Sequence, residues 1–174
     1  MSVRNELESM GLSLPAPFAP VANYVRAVRT GSLIYTSGTG PIDENGTFPY
    51  IGKLGTDLAV EEGYRAARLT ALNLLLYTGD EIRSLSDIVR VVRLTGYVAS
   101  APDFTRQPEV INGASDLLVE VLGERGRHSR LALGTSVLPF VFLCNSEVAF
   151  GLAFVSPFSC SLEAARLLPT ICVL

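Results

Sequence analysis

From residue 131 to residue 174 the chain carries three charged side chains, Glu147, Glu163 and Arg166, although the whole sequence holds 14 Lys+Arg and 17 Asp+Glu. A stretch this poor in charge has to leave water, either into a membrane or into a protein core. Its most apolar part, Leu131 to Leu162, is split by Glu147 into uncharged runs of 16 and 15 residues and interrupted by Pro139, Gly151 and Pro157. Each run falls short of the roughly 20 residues a helix needs to cross a bilayer. Short apolar runs bounded by turn residues fit buried strands instead, so the sequence predicts no membrane span.

The rest of the composition narrows the class further. With 174 residues and 48% hydrophobic side chains, one domain can bury an adequate core without staples. Cys144, Cys160 and Cys172 are odd in number, late in the chain and outside any C-x-x-C pair, and there is one histidine. Reduced, buried thiols in a cytoplasmic protein are expected, with no metal. The N-terminus mixes Arg4, Glu6 and Glu8 and has no apolar run of the kind a secretory signal needs. A net charge of -3 and a pI of 5.2 argue against a broad electrostatic footprint for nucleic acid.

Along the chain, Tyr24–Arg29 and Leu33–Ser37 read as two strands joined by Thr30-Gly31-Ser32. A glycine- and proline-rich loop follows to Asp57. Val60–Tyr77 repeats apolar residues at three- and four-residue steps behind Glu61 and Glu62, the pattern of a helix. Ile88–Ala99 is a β-branched run, hence an inner strand, and Glu109–Leu122 is a second helix stopped by Gly123. Arg130–Leu138 and Val148–Val155 read as two last strands. The order predicts an α+β fold, a mostly antiparallel sheet with two helices on one face. Residues 1–15 form an N-terminal arm, 16–155 the domain, and 156–174 an extension, where Ser161–Pro169 has the pattern of a short capped helix.

Candidate chemistry is sparse. A lone His128 excludes most triads; it reads as a loop histidine exposed to solvent, or as an isolated acid or base near neutral pH. Around it, Arg125, Arg127 and Arg130 could hold phosphates or the carboxylate of a small acid. No aromatic platform is interleaved with them, which favours the small acid. Arg130 stands where a glycine-containing loop turns into an apolar strand, so partial burial against an anionic partner is expected. The glycines of Ser37-Gly-Thr-Gly-Pro41 precede neither Lys-Ser/Thr nor a helix, so they read as a turn rather than a phosphate loop.

Tyr24-Val25, Thr36-Ser37-Gly38, Asp103-Phe104, Asn112, and Arg130 with Pro139 nine residues later occur in the order and rough spacing of a known family. Over residues 16 to 155 the chain resembles the Rid/YjgF-like reactive-intermediate imine deaminases, also labelled endoribonuclease L-PSP. The resemblance implies a chorismate-mutase-like fold and a homotrimer, with sheets packed inward and three small-molecule clefts between subunits. It implies no metal and no organic cofactor. By the same resemblance Arg130 grips a substrate carboxylate with the backbone amides of Gly38 and Ala132, while Tyr24 and Asn112 line the cleft. The implied reaction hydrolyses a small 2-imino acid of the 2-aminoacrylate type to a 2-keto acid and ammonia.

The chain departs from the family on its last strand, where a Val/Ile-Glu pair is expected and Asn145 to Gly151 reads NSEVAFG. With Val141–Cys144 as an insertion the Glu position falls on Ala149; without it, on Asn145. Glu147 is the remaining candidate for activating water, although two residues along a strand move a carboxylate by about 7 Å. Two other functions stay open: a non-catalytic small-carboxylate-binding homotrimer, and an endoribonuclease.

Overall fold

The computed structural model describes residues 2–16, 19–139 and 143–153. Its elements are α1 (Val3–Ser9), β1 (Ala27–Thr30), β2 (Leu33–Thr36), α2 (Val60–Thr78), β3 (Ile88–Ala99), α3 (Gln107–Leu122), β4 (Ser129–Thr135) and β5 (Cys144–Leu152), with 3-10 turns at Leu85–Asp87 and Gly123–Gly126. The strands form one sheet in the order β1-β2-β5-β3-β4. β3 and β4 run parallel and the other neighbours antiparallel, so the sheet is mixed and the fold α+β.

Strand alternation decides which face meets the helices. Leu94 and Val98 of β3, Val148 and Phe150 of β5 and Ile34 of β2 are buried in one core with Ala67, Leu74 and Leu75 of α2 and Ile111 and Leu118 of α3. Two glycines permit the close approaches. A Cβ on Gly113 of α3 would strike the backbone carbonyl of Tyr64 on α2, and one on Gly96 of β3 would strike the Ile111 side chain.

Four expectations need correction. A third helix, α1, occupies the N-terminal arm: Ser2 caps it by accepting a hydrogen bond from the Asn5 amide (3.3 Å), and Val3 and Leu7, one turn apart, are buried. The first strand starts at Ala27, leaving Tyr24 and Val25 in irregular backbone before it. β4 ends at Thr135, before Leu138. β5 begins at Cys144, not Val148, because Cys144, Ser146 and Val148 alternate inward past the polar Asn145 and Glu147. Leu143 is buried as well, and its carbonyl accepts from the Ala99 amide (2.8 Å), so Leu143 and Cys144 are tied into the core at the start of this strand. The extension 156–174, with Cys160 and Cys172, lies outside the described residues. Among the described residues no helix is long and apolar enough to cross a membrane, and burial pushes the Cys144 thiol up to about 12, so it remains a protonated core group.

Candidate functional site

Arg130 is the second residue of β4, the strand at one sheet edge, and its register partner on β3 is Leu94, a core residue. Its side chain therefore leaves the sheet on the helix side, where it meets α3. Arg130 Nη1 donates to Asn112 Oδ1 (2.7 Å) and to Ser115 Oγ (3.2 Å). Asn112 and Ser115 are three residues apart on α3, hence on one face of it. Arg130 is exposed rather than partly buried against an anion, and its holders are two uncharged acceptors. Both Nη1 protons are thereby used. The side-on edge made by Nε and Nη2, the pair that matches a carboxylate in two parallel hydrogen bonds, makes no hydrogen bond to any described residue.

The other members of the basic cluster have separate duties. Arg125 Nη1 donates to the carbonyls of Ile88 (2.7 Å) and Leu85 (3.3 Å), which staples the turn after α3 to the start of β3. Arg127 pairs with Glu124 (2.9 Å) in solvent. His128 is half-buried rather than free in solvent: Nδ1 lies 2.6 Å from the Gly126 carbonyl and Nε2 3.1 Å from Ser115 Oγ. Burial holds its pKa below the ordinary histidine value; the bond to Gly126 opposes that, and the Arg130 charge adds to it.

A second group assembles on the far side of β3. Ser37 Oγ donates to the Val25 carbonyl (2.6 Å) and Ser37 N to the Arg26 carbonyl (2.8 Å), which ties the Tyr24 segment to the residues after β2. Thr39 and Ser146 exchange backbone hydrogen bonds, so Gly38 lies against β5. A Cβ at Gly38 would come within 2.7 Å of Asn145 Oδ1, so the Asn145 amide stands beside the Gly38 backbone. From below, Tyr77 places its hydroxyl 3.2 Å from Thr39 Oγ1. Burial raises the Tyr77 phenol's pKa, so it stays protonated as a partner for Thr39. Arg26 lies over the Tyr77 ring, 5.4 Å from its centre, and is fixed by two hydrogen bonds to Asp80 (2.6 and 2.9 Å).

One chain does not bring these groups together. Asn145 pairs with Tyr97 and Tyr97 with Leu133, three residues beyond Arg130 on β4. Two strand spacings and three residue rises separate the Arg130 and Asn145 backbones by on the order of 14 Å, and the odd offset sends their side chains to opposite faces. Tyr24, Gly38 and Asn145 belong to one group and Arg130, Asn112, Ser115 and His128 to another. Ala132 lies on β4 two residues past Arg130, half-buried against the core. Glu147 points, with Tyr35, Arg93 and Tyr97, into a recess of about 340 Å³ on the sheet face without helices, away from Arg130. Ala149 lines the same recess. Ser115 escapes sequence reasoning; its signal is the three-residue spacing from Asn112 on the helix that must face Arg130.

The comparisons with known proteins agree with this architecture. The family model described as "YjgF/chorismate_mutase-like, putative endoribonuclease" matches residues 4–151. A Trypanosoma cruzi relative, Protein TCP17, is 42% identical over 139 residues, 79% of this chain and 86% of its own length. The crystal structure of a protein of unknown function from Agrobacterium tumefaciens is 39% identical, with a TM-score of 0.77 over 87% of this chain and 92% of that one. A Shewanella oneidensis protein described as a "putative endoribonuclease" is 36% identical, with a TM-score of 0.80 over 87% of this chain and all of its own (100%). Sequence, sheet order and these likenesses lead to one assignment: the chain belongs to the YjgF/chorismate-mutase-like family.

Proposed function

We propose that the chain is an enamine/imine deaminase for small 2-imino acids, acting as a homotrimer in which Arg130 of one subunit meets Tyr24 and Gly38 of the next. The observation that carries this reading is the Nε/Nη2 edge of Arg130, presented by Asn112 and Ser115 with no carboxylate among the described residues opposed to it. The separation of the two groups supports the intersubunit cleft, since neither half completes the other within one chain.

The chemistry asks little of the protein. An enamine such as 2-aminoacrylate tautomerises to an imine, which is already electrophilic. Water adds to the C=N carbon, a proton reaches nitrogen, ammonia leaves and a 2-keto acid remains. The site has to orient the acid on Arg130 and the Gly38 and Ala132 amides, place the water and relay a proton. Adding freshly generated 2-aminoacrylate and following keto-acid release tests it: acceleration over buffer that Arg130→Ala removes is expected, and a rate equal to buffer overturns it.

One observation favours a second reading, a non-catalytic carboxylate-binding protein. Asn145 stands beside Gly38, and an amide can orient a water but cannot take its proton as a carboxylate would. Glu147 faces the other recess and offers no replacement within the chain. Saturable binding of a 2-keto acid without turnover would decide for this reading. Endoribonuclease activity has less support: Arg26, Arg68, Arg106 and Arg127 are each paired with a carboxylate, and the net charge is -3. No salt-sensitive RNA binding is expected.

A further inference from the structure

His128, Ser115 and Arg130 form a hydrogen-bonded chain whose proton directions are fixed by its far end. The Gly126 carbonyl can only accept, so the 2.6 Å contact places a proton on His128 Nδ1. In the neutral ring Nε2 is then bare and accepts from the Ser115 hydroxyl (3.1 Å). Ser115 Oγ keeps its lone pairs for Arg130 Nη1 (3.2 Å), and the second Nη1 proton goes to Asn112. The guanidinium is held with its Nε/Nη2 edge turned outward.

We propose that His128 is a positioning residue for Arg130, tied to it through the Ser115 hydroxyl, so that a proton on His128 and a carboxylate on Arg130 favour one another. When His128 gains a proton at Nε2, that nitrogen becomes a donor, Ser115 turns its own proton away and accepts from both neighbours. The chain persists, now between two cations. A carboxylate on the outward edge of Arg130 offsets that repulsion, and by linkage the protonated state binds the acid more tightly. Other charged groups around His128 are engaged elsewhere. On α3, Asp116 accepts from Tyr64 (2.8 Å) and Glu120 pairs with Arg68 (2.8 Å). In the turn before β4, Glu124 pairs with Arg127 and Arg125 is held by carbonyls. On β3, Arg93 donates to Thr95 Oγ1 (3.3 Å). Arg130 is the charge that His128 senses.

The carboxylate part rests on the proposed function; the His128–Arg130 coupling does not, and one experiment separates them. The chain has a single histidine, so ¹⁵N NMR of the labelled protein reads its tautomer and titration without assignment. In the free protein the neutral ring is expected as the Nδ1–H form, and Arg130→Gln is expected to raise its midpoint. An Nε2–H ring, or a midpoint unmoved by Arg130→Gln, overturns the proposal. Calorimetric titration with 2-oxobutyrate is expected to show about five-fold tighter binding below the midpoint than above it, flat in His128→Asn. Flat wild-type binding that Arg130→Ala still abolishes overturns the coupling. No binding at any pH, with the Arg130→Gln midpoint still raised, leaves the coupling standing and overturns the carboxylate reading instead.

Discussion

The two faces of the sheet are finished differently. On the helix side the inward residues of β3 and β5 pack in one core with α2 and α3, the α2 and α3 backbones approach so closely that Gly113 has no room for a side chain, and Gly96 lies under the Ile111 side chain. On the other side Tyr35 is 51% and Leu133 44% exposed, beside Tyr97 and Leu131, and nothing among the described residues covers them. Polar residues interrupt this apolar surface, Arg93, Thr95 and Glu147 among them. A sheet with one sealed and one open face either tolerates water on the second or buries it against another copy. The candidate site follows the same division, with Arg130 held on the sealed side and Asn145 on the open one.

Substitutions should separate the faces sharply. Gly113→Val drives a side chain into the Tyr64 carbonyl and is expected to cost about 3 kcal/mol or more in urea unfolding. A cost near zero would mean that α2 and α3 do not pack as described. Arg130→Ala, by contrast, should leave unfolding nearly unchanged and weaken 2-oxobutyrate binding by about 30-fold or more. Leu133→Glu on the open face should alter the fold of the monomer by less than about 0.5 kcal/mol, yet shift the sedimenting mass toward the monomer. A sedimenting mass unchanged from that of the wild type would remove the open face from the assembly.

Smaller effects concern the edge of β4. His128 titrates below its ordinary value of 6.5 because it is half-buried and faces Arg130. The unfolded chain therefore binds the proton first, and stability falls as pH drops from about 6.5 through the folded-state midpoint. His128→Gln should flatten that part of the stability profile. Smallest of all, Arg127→Ala removes an exposed ion pair and should stay within about 0.5 kcal/mol of wild type.

How much of this was legible beforehand depends on where the information resides. β3 runs from Ile88 to Ala99 as its β-branched composition indicates, because Asp87 and the Ser100–Asp103 segment bound it locally. α1 is faint in the sequence, although Ser2 as cap and Val3 and Leu7 one turn apart carry its signal, because seven residues give the period little room. β5 begins four residues before the expected Val148, because alternation places Glu147 outward from an unbroken strand. Arg130 and Asn112 could be named from the family resemblance. Their link through Ser115 to His128 depends on α3 lying against β4, a tertiary fact that no local spacing encodes.

The central claim is that a complete site needs two copies of the chain. Arg130→Ala keeps Tyr24 and Gly38, and Gly38→Val, whose new side chain meets Asn145, keeps Arg130. Each variant alone should fail to bind 2-oxobutyrate. Co-expressed, with mixed oligomers verified by mass, they should recover binding at about a quarter of the sites, because a random cyclic assembly joins one intact half to the other that often. Verified mixed oligomers that bind no 2-oxobutyrate, while the wild type does, would contradict the two-copy site.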